Sequence, residues 1–412
     1  MRRFLQVILT VLARAALRRY RPLVIAVTGS VGKTSTKEAI FTVLRAQYHQ
    51  GVRRTLLNRN TEIGVPLTIL GIPGGGRSPF SWARQLLHAL QTVLWSPSYP
   101  EALVLEMGAD RPGDIRFLAR LASPKISVVT AVGEIPVHVE FFAGPKTLAR
   151  EKARLVEALL PDGWAILNFD DLTVLEMRER TDARALTFGF GEGADIRATA
   201  YEVRTRTESG YEVPDGISFK IEYQGNFVPV RLTGVFGRGV VMAALAAAAV
   251  GIALRMHLVE ISEALAEYEG LPGRMQLLSG VKHSFLIDDS YNAAPQAMHM
   301  ALDTLGELPA SRRIVILGDM LELGKYTETA HRAVGQHAAR MADEIVTVGA
   351  RMRLAGHEAI ARGMDEARVR MCATTDEAGR LVQAGLKAGD LVLVKGSRAM
   401  HMENVVSELR AI

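Results

Sequence analysis

The chain alternates short apolar runs with longer stretches of helical periodicity. Residues 22–28 (PLVIAVT) form a β-branched apolar run that predicts a buried parallel strand, and 33–46 (KTSTKEAIFTVLRA) repeat apolar residues at helical spacing. Strand-like runs at 101–106, 126–131 and 163–167 alternate with helical stretches, the order expected of a parallel sheet covered by helices. Residues 195–233 change character. Alternating runs such as SFKIEYQ and FVPVRL, split at SG, DG and QGN, predict turns and an antiparallel addition. Residues 240–256 (VVMAALAAAAVGIALRM) read as a buried helix, GIPGGGRSP (71–79) as a flexible loop and EGLPGR (269–274) as a punctuated linker. Strand–helix alternation then restarts with FLIDDS, RRIVILGD, EIVTVG and DLVLVKGS, which predicts a second, Rossmann-like α/β domain. The expected organisation is an N-terminal helix over 1–22, an α/β domain over 23–270 and a second α/β domain over 271–412.

Candidate chemistry sits first in VTGSVGKTSTKEAI (27–40), where an apolar strand runs through a glycine turn into a helix. Gly29 and Gly32 remove side chains where backbone N–H groups from Thr28 to Ser35, through Ser30 and Val31, can close on phosphate oxygens. Lys33 adds a full positive charge to that of the helix N-terminus, and the Thr34 hydroxyl can ligate Mg²⁺. Val27 stands where the common G-x-x-x-x-G-K-[ST] pattern has its first glycine, so the loop is of the shorter T-G-x-x-G-K-[ST] form. Glu106 ends a buried strand, the position from which nucleotide enzymes hold Mg²⁺. His138 follows the strand at 126–131, on the sheet edge where open α/β folds bind ligands, and Lys152 falls in a probable helix. Taken singly, each of these three also suits an ordinary structural or solvated role.

Composition narrows the picture. A chain of 412 residues with 48% hydrophobic content has material for two or three domains. Residues 1–22 carry six arginines and no acid, more than the whole chain's net charge of +5, so the basicity is a tail and not a nucleic-acid groove. The lone Cys372 excludes an internal disulfide or a cysteine-rich metal site and fits a reducing compartment. The apolar stretch 4–13 is too short to span a bilayer. Its basic–apolar–ARA order imitates a signal peptide, but an ATP site beginning just after it has use only in the cytoplasm. Gln6, Thr10, Arg14 and Arg18 recur every four residues, a narrow polar stripe on a broadly apolar helix. Such a helix either packs on the body of the protein or makes a peripheral membrane contact at the inner face.

Eight segments in order, TGSVGKTSTKE, NTEIGVPLTIL, LEMGADRPGDI, REKARLVEAL, PGR, DDSYNAAP, LGDMLELG and VKGSR, together resemble the Mur ligases from about residue 23 to the C-terminus. The branch they resemble adds D-alanyl-D-alanine to a peptidoglycan precursor. The resemblance implies a P-loop central ATPase domain followed by a Rossmann-like C-terminal domain. It also implies joining a carboxylate acceptor to an amino acid or dipeptide amine through an acyl phosphate, with ATP and Mg²⁺. By motif match, Lys33 and Thr34 hold the phosphates and one Mg²⁺, Glu106 completes its shell and His138 serves a second Mg²⁺. Lys152 matches the lysine that CO₂ converts to a carbamate, which requires a neutral, desolvated amine. Arg274 and Asp289 reach the nucleotide from the second domain, while Asn60, Thr61, Asn292, Lys395, Ser397 and Arg398 are candidates for substrate contact.

Three departures accompany the resemblance. Only about 22 residues precede the loop, so the family's N-terminal UDP-binding domain is expected to be absent. Gly237-Arg238-Gly239-Val240 replaces an expected G-x-H-N, and Ala294 stands where this branch carries Asn. An acceptor that is not UDP-linked, or a nucleotide-binding partner module without ligation, are the alternative readings.

Overall fold

The β-branched run at 23–28 becomes the axis of a nine-stranded sheet in the computed structural model, which describes residues 2–56, 59–96, 98–208 and 211–411. Its strands are β1 (Leu23–Thr28), β2 (Val52–Arg54), β3 (Ala102–Glu106), β4 (Ile126–Val129), β5 (Trp164–Asn168), β6 (Arg184–Gly189), β7 (Ile196–Glu208), β8 (Tyr211–Tyr223) and β9 (Asn226–Thr233). They lie in the order β2-β3-β1-β4-β5-β6-β7-β8-β9, parallel as far as β7 and antiparallel beyond it. The strand order reverses between β1 and β4, so a crevice opens beyond the C-terminal end of β1.

The antiparallel addition therefore extends the first sheet and does not stand apart from it. QGN turns as its residues require, with positive φ at Gln224 (49°) and Gly225 (78°) between the paired Tyr223 and Asn226. DG does not turn. Asp215 and Gly216 lie inside β8 beside a register irregularity, and Gly216 takes φ +151° where a Cβ would meet Leu232 O at 2.1 Å. The SG pair lies outside the described residues.

Alternation along the strands sorts the core onto two faces. Val24, Ala26, Leu103 and Leu105 face α1 (Arg2–Tyr20), α3 (Gly64–Leu70), α4 (Pro79–Trp95) and α5 (Asp114–Ala122). Ile25, Val27, Ala102 and Val104 face α2 (Lys33–Tyr48) and the alanine-rich helix Arg238–Ala253. That helix is buried nearly all round, as its composition predicts. It ends at Ala253, short of the expected 256, because Arg255 adopts φ 65°. The loop 71–79 is fitted around Trp82, whose Nε1 donates to Gly76 O at 3.0 Å, and the helix α4 that follows had no clear sequence signal. A further helix, α6 (Pro145–Glu157), lies after β4.

The second unit has a six-stranded sheet of β10 (Gln276–Ser279), β11 (Phe285–Asp289), β12 (Arg312–Gly318), β13 (Glu344–Val348), β14 (Val369–Cys372) and β15 (Asp390–Lys395). The order is β10-β11-β15-β12-β13-β14, parallel except for β10. Its helix Pro295–Glu307 contributes Met298, Ala301, Leu302 and Leu305 to the core that covers the α2 face of the first sheet. No helix among the described residues is long and apolar enough to cross a membrane.

Helix α1 packs on the body through Leu9, Ala13 and Ala16, each fully buried. Thr10 of the supposed polar stripe is also buried and donates to Gln6 O at 2.6 Å, while Arg14 and Arg18 are exposed. Leu9→Ala is expected to cost about 2–5 kcal/mol of unfolding free energy, as for other fully buried leucines. Phe4→Ala, at a site 68% exposed, should stay within about 0.5 kcal/mol in the same denaturant titration.

Candidate active site

The glycine loop closes so tightly because nothing intervenes between it and β4. Gly29 adopts φ +150°, and a Cβ there would lie 2.0 Å from Thr130 Oγ1. The Thr130 hydroxyl donates to Val31 O at 2.6 Å and so pins the loop to the strand that neighbours β1. Gly32, at φ 84°, opens α2 directly behind it. Lys33 folds back over the turn, its Nζ 2.9 Å from Gly29 O and 3.3 Å from Ser30 O. Burial lowers its pKa from the ordinary lysine value, opposed by the charges of Glu106 and Asp110 and aided by that of Arg274.

Lys152, on α6, donates to the same Gly29 carbonyl at 2.8 Å. It is buried behind the loop, and burial with the nearby Lys33 charge holds its pKa well below the usual 10.5. Glu106 ends β3 on the face shared with α2. Its Oε1 accepts from Asn60 Nδ2 at 3.1 Å, while its buried Oε2 has no hydrogen-bond partner. Lys37, one turn beyond Lys33, is itself buried, donates to Thr55 O at 2.7 Å and lies 3.9 Å from Glu106 Oε2.

The second unit completes the site. Arg274 donates through Nη2 to Thr34 Oγ1 at 3.0 Å and lies 4.2 Å over the Tyr291 ring. His138 Nδ1 is 2.5 Å from Glu322 Oε2 and its Nε2 3.8 Å from Asp110. The His138 hydrogen bond holds the Glu322 carboxyl below its ordinary value. Asp289 pairs with Lys395 at 2.6 Å, and Lys395 also donates to Asn292 O at 2.9 Å. Burial pushes the Asp289 carboxyl up, against the pull of Lys395 and Arg274.

Ser30, Val31, Gly32, Lys33, Thr34, Ser35, Asn60, Glu106, His138, Arg274, Asp289, Asn292, Lys395 and Arg398 line one cleft of about 1400 Å³, counting its space open to solvent. Other candidates lie outside that lining. Thr28 is buried beneath it and donates to Met107 O, Gly29 contributes backbone, and Lys152 stands behind the loop. The Thr61 hydroxyl accepts Gly64 N at the start of α3, and the Ser397 hydroxyl accepts Leu321 N at 2.9 Å. Gly239, Val240 and Ala294, the three departures in residue type, line the cleft with the rest. Lys37, Asp110, Thr130, Tyr291 and Glu322 went unremarked in the sequence, although Lys37, Asp110, Tyr291 and Glu322 sit inside the recognisable segments.

Residues 84–251 match the Mur ligase middle domain and residues 273–398 the Mur ligase glutamate ligase domain. The UDP-N-acetylmuramoyl-tripeptide–D-alanyl-D-alanine ligase of Bacillus subtilis is 30% identical over 403 residues, covering 97% of this chain and 78% of its own length. The chain belongs to the Mur ligase family. It is an ATP-dependent ligase. The ligase of the same name from Mycobacterium leprae is 32% identical over 399 residues, covering 92% of this chain and 72% of its own. Among solved structures, MurF from Acinetobacter baumannii superposes with a TM-score of 0.80 at 26% identity, over 98% of this chain and 80% of that one. MurF ligase from Thermotoga maritima in complex with ADP gives 0.79 at 25% identity, over 98% and 83%. The two α/β units of this Mur ligase thus carry the family's fold.

The donor set suits Mg²⁺. The Glu106 oxygen without a hydrogen-bond partner and the Thr34 hydroxyl are hard oxygen donors that could hold the ion, and Mg²⁺ characteristically takes one or two carboxylates with the remainder from phosphates and water. Among the described residues no group of three His, Cys, Asp or Glu side chains gathers to hold a metal unaided.

Two measurements follow. Gly29→Ala should abolish ADP binding in calorimetry while the protein stays folded, because the φ and the 2.0 Å approach exclude a Cβ. The unfolded chain binds more protons at Lys152 than the folded one at pH values between its lowered pKa and 10.5. Wild-type stability should therefore rise with pH in that window relative to Lys152→Met, by at most about 1.4 kcal/mol per pH unit, in carbonate-free denaturant titrations.

Proposed function

We propose that this ligase adds D-alanyl-D-alanine, or a closely similar amine, to the terminal carboxylate of a peptidoglycan precursor in the cytoplasm. The observation that carries the reading is the Arg274–Thr34 contact, which joins the second unit to the phosphate loop within one cleft that also holds Glu106 and Lys33.

A carboxylate resists attack because its charge repels nucleophiles and oxide is a poor leaving group. Phosphorylation by ATP removes the charge. In that step the carboxylate oxygen bonds to the γ-phosphorus as the bond to ADP breaks; the amine then forms the C–N bond and gives up a proton as the C–O bond breaks and phosphate leaves. Mg²⁺, held by Thr34 and Glu106, would neutralise the crowded phosphate oxygens. In this reading the loop amides from Thr28 to Ser35 and the Lys33 ammonium hold the phosphates, and Arg274 supplies charge from the facing side. Asp289 orients the nucleoside, with Lys395 fixing its direction. His138, paired with Glu322 in this structure, would be the residue that holds a second Mg²⁺. Lys152, whose proton affinity burial lowers, would add CO₂ through its unprotonated amine and release a proton to become an anionic ligand. Asn60, Asn292 and Arg398 contact acceptor and amine in the cleft, where Ala294 sets a less polar wall than Asn would, and Thr61 and Ser397 support the backbone beside it. Residues 1–22 give the enzyme a peripheral contact with the inner membrane face, a surface that would also favour a lipid-linked acceptor.

The test is phosphate release and product mass with ATP, UDP-N-acetylmuramoyl-tripeptide and D-alanyl-D-alanine, each also omitted in turn. Amide product only when all three are present is the expected result, and its absence with folded, ADP-binding enzyme would refute this substrate pair. Lys33→Ala and Glu106→Ala should each lower turnover by roughly 10²–10³-fold or more. Lys152→Ala should be nearly inactive, with acetate or formate restoring part of the rate. A fully active Lys152→Ala enzyme would leave the lysine a purely structural role.

A further inference from the structure

Two helices on the same side of the first sheet each bury one stripe and leave an apolar one outside. On α1, Leu9, Ala13 and Ala16 are inward, while Phe4, Val7 and Val11 are 68, 61 and 58% exposed and continue at helical spacing into exposed Arg14 and Arg18. On α4, Gln85, Ala89 and Val93 are inward, while Leu87, Leu90, Leu94 and Trp95 are outward. Both inward stripes join the core on that sheet face, so both outward stripes point away from the sheet. The helices are tied at their C-terminal ends, where Tyr20 donates to Thr92 O at 2.6 Å and stacks on Tyr99.

The concentration is marked. Of the fifteen large hydrophobic side chains exposed among the described residues, eight lie on these two helices. Neither helix contains an acidic residue, and exposed Arg77 and Arg84 near the start of α4 add to Arg3, Arg14, Arg18 and Arg19 of α1. A protein partner would need a matching acidic–apolar surface, whereas an anionic bilayer supplies both at once through its headgroups and acyl chains.

We propose that α1 and α4 together form a docking surface for an anionic lipid leaflet, with apolar side chains entering the interface and arginines meeting the headgroups. The surface extends beyond residues 1–22, because α4 shares it. It faces away from the α2 side, where the second unit packs, so a docked enzyme keeps its cleft toward solvent. The proposal rests on the cytoplasmic setting given above but not on the identity of either ligation substrate.

Full-length protein would be co-sedimented with phosphatidylglycerol–phosphatidylethanolamine vesicles and with phosphatidylcholine vesicles, at low and high salt. Binding is expected on the anionic vesicles at low salt, and much less on neutral vesicles or in high salt. The paired variants Val7→Gln/Val11→Gln, Leu87→Gln/Leu90→Gln and Arg14→Gln/Arg18→Gln should each weaken it by about tenfold or more, with melting temperature and ATP turnover in solution unchanged. A wild-type protein that remains in the supernatant overturns the proposal, as does equal binding to neutral vesicles. Loss on the α1 pair without loss on the α4 pair overturns the shared surface. A dimer made monomeric by the Val7/Val11 pair, with no vesicle binding, overturns it in favour of self-association. Ligation measured without vesicles is independent of every outcome.

Discussion

One carbonyl oxygen, that of Gly29, accepts from two lysines on two different helices, Lys33 at 2.9 Å and Lys152 at 2.8 Å. That convergence fixes the turn between β1 and α2, ties α6 to it, and brings two basic groups onto one backbone oxygen. Burial destabilises each lysine as a cation there, with the Arg274 charge acting the same way on Lys33 and the Lys33 charge on Lys152, while Asp110 opposes both. The Gly29 carbonyl thus ties the turn, α2 and α6 to one point.

The acid opposite depends on its own support. Glu106 sits at the end of a strand where desolvation would penalise a lone carboxylate, and buried Lys37 offsets that penalty from one side while Asn60 holds the other oxygen. The oxygen nearer Lys37 is left without a hydrogen-bond partner. The second unit then adds contacts that exist only when both units meet: Arg274 with Thr34, and His138 with Glu322. A cleft built this way gains its full electrostatic environment on closure, a common means of excluding water from phosphoryl chemistry.

The N-terminal helix illustrates how one sequence stretch answers two constraints. Its periodicity left open whether the apolar residues face the protein or a membrane surface. Folding uses one apolar stripe, through Leu9, Ala13 and Ala16, and leaves a second, through Phe4, Val7 and Val11, in solvent. Both stripes arise because the helix is apolar around most of its circumference, so docking against the sheet cannot cover it all.

Local sequence carried the strand of β1, the glycine turn, the helix after it, the restart of strand–helix alternation after residue 274 and the acid at the end of β3. Each follows from a local preference: β-branched residues for a buried strand, glycine for positive φ, 3.6-residue periodicity for a helix. Short or weakly apolar strands such as β2, β6 and β14 were not legible, since VRR and VRMC become strands only through the neighbours that pair with them. Nor did the DG pair announce a bulge, because a turn signature acts as a turn only where the chain has room to reverse. The partners of the site residues, Lys37 for Glu106, Glu322 for His138 and Asp289 for Lys395, were set by tertiary structure alone. Charge neutralisation and hydrogen bonding act through space, between residues as far apart as 138 and 322, and no period along the chain encodes that distance.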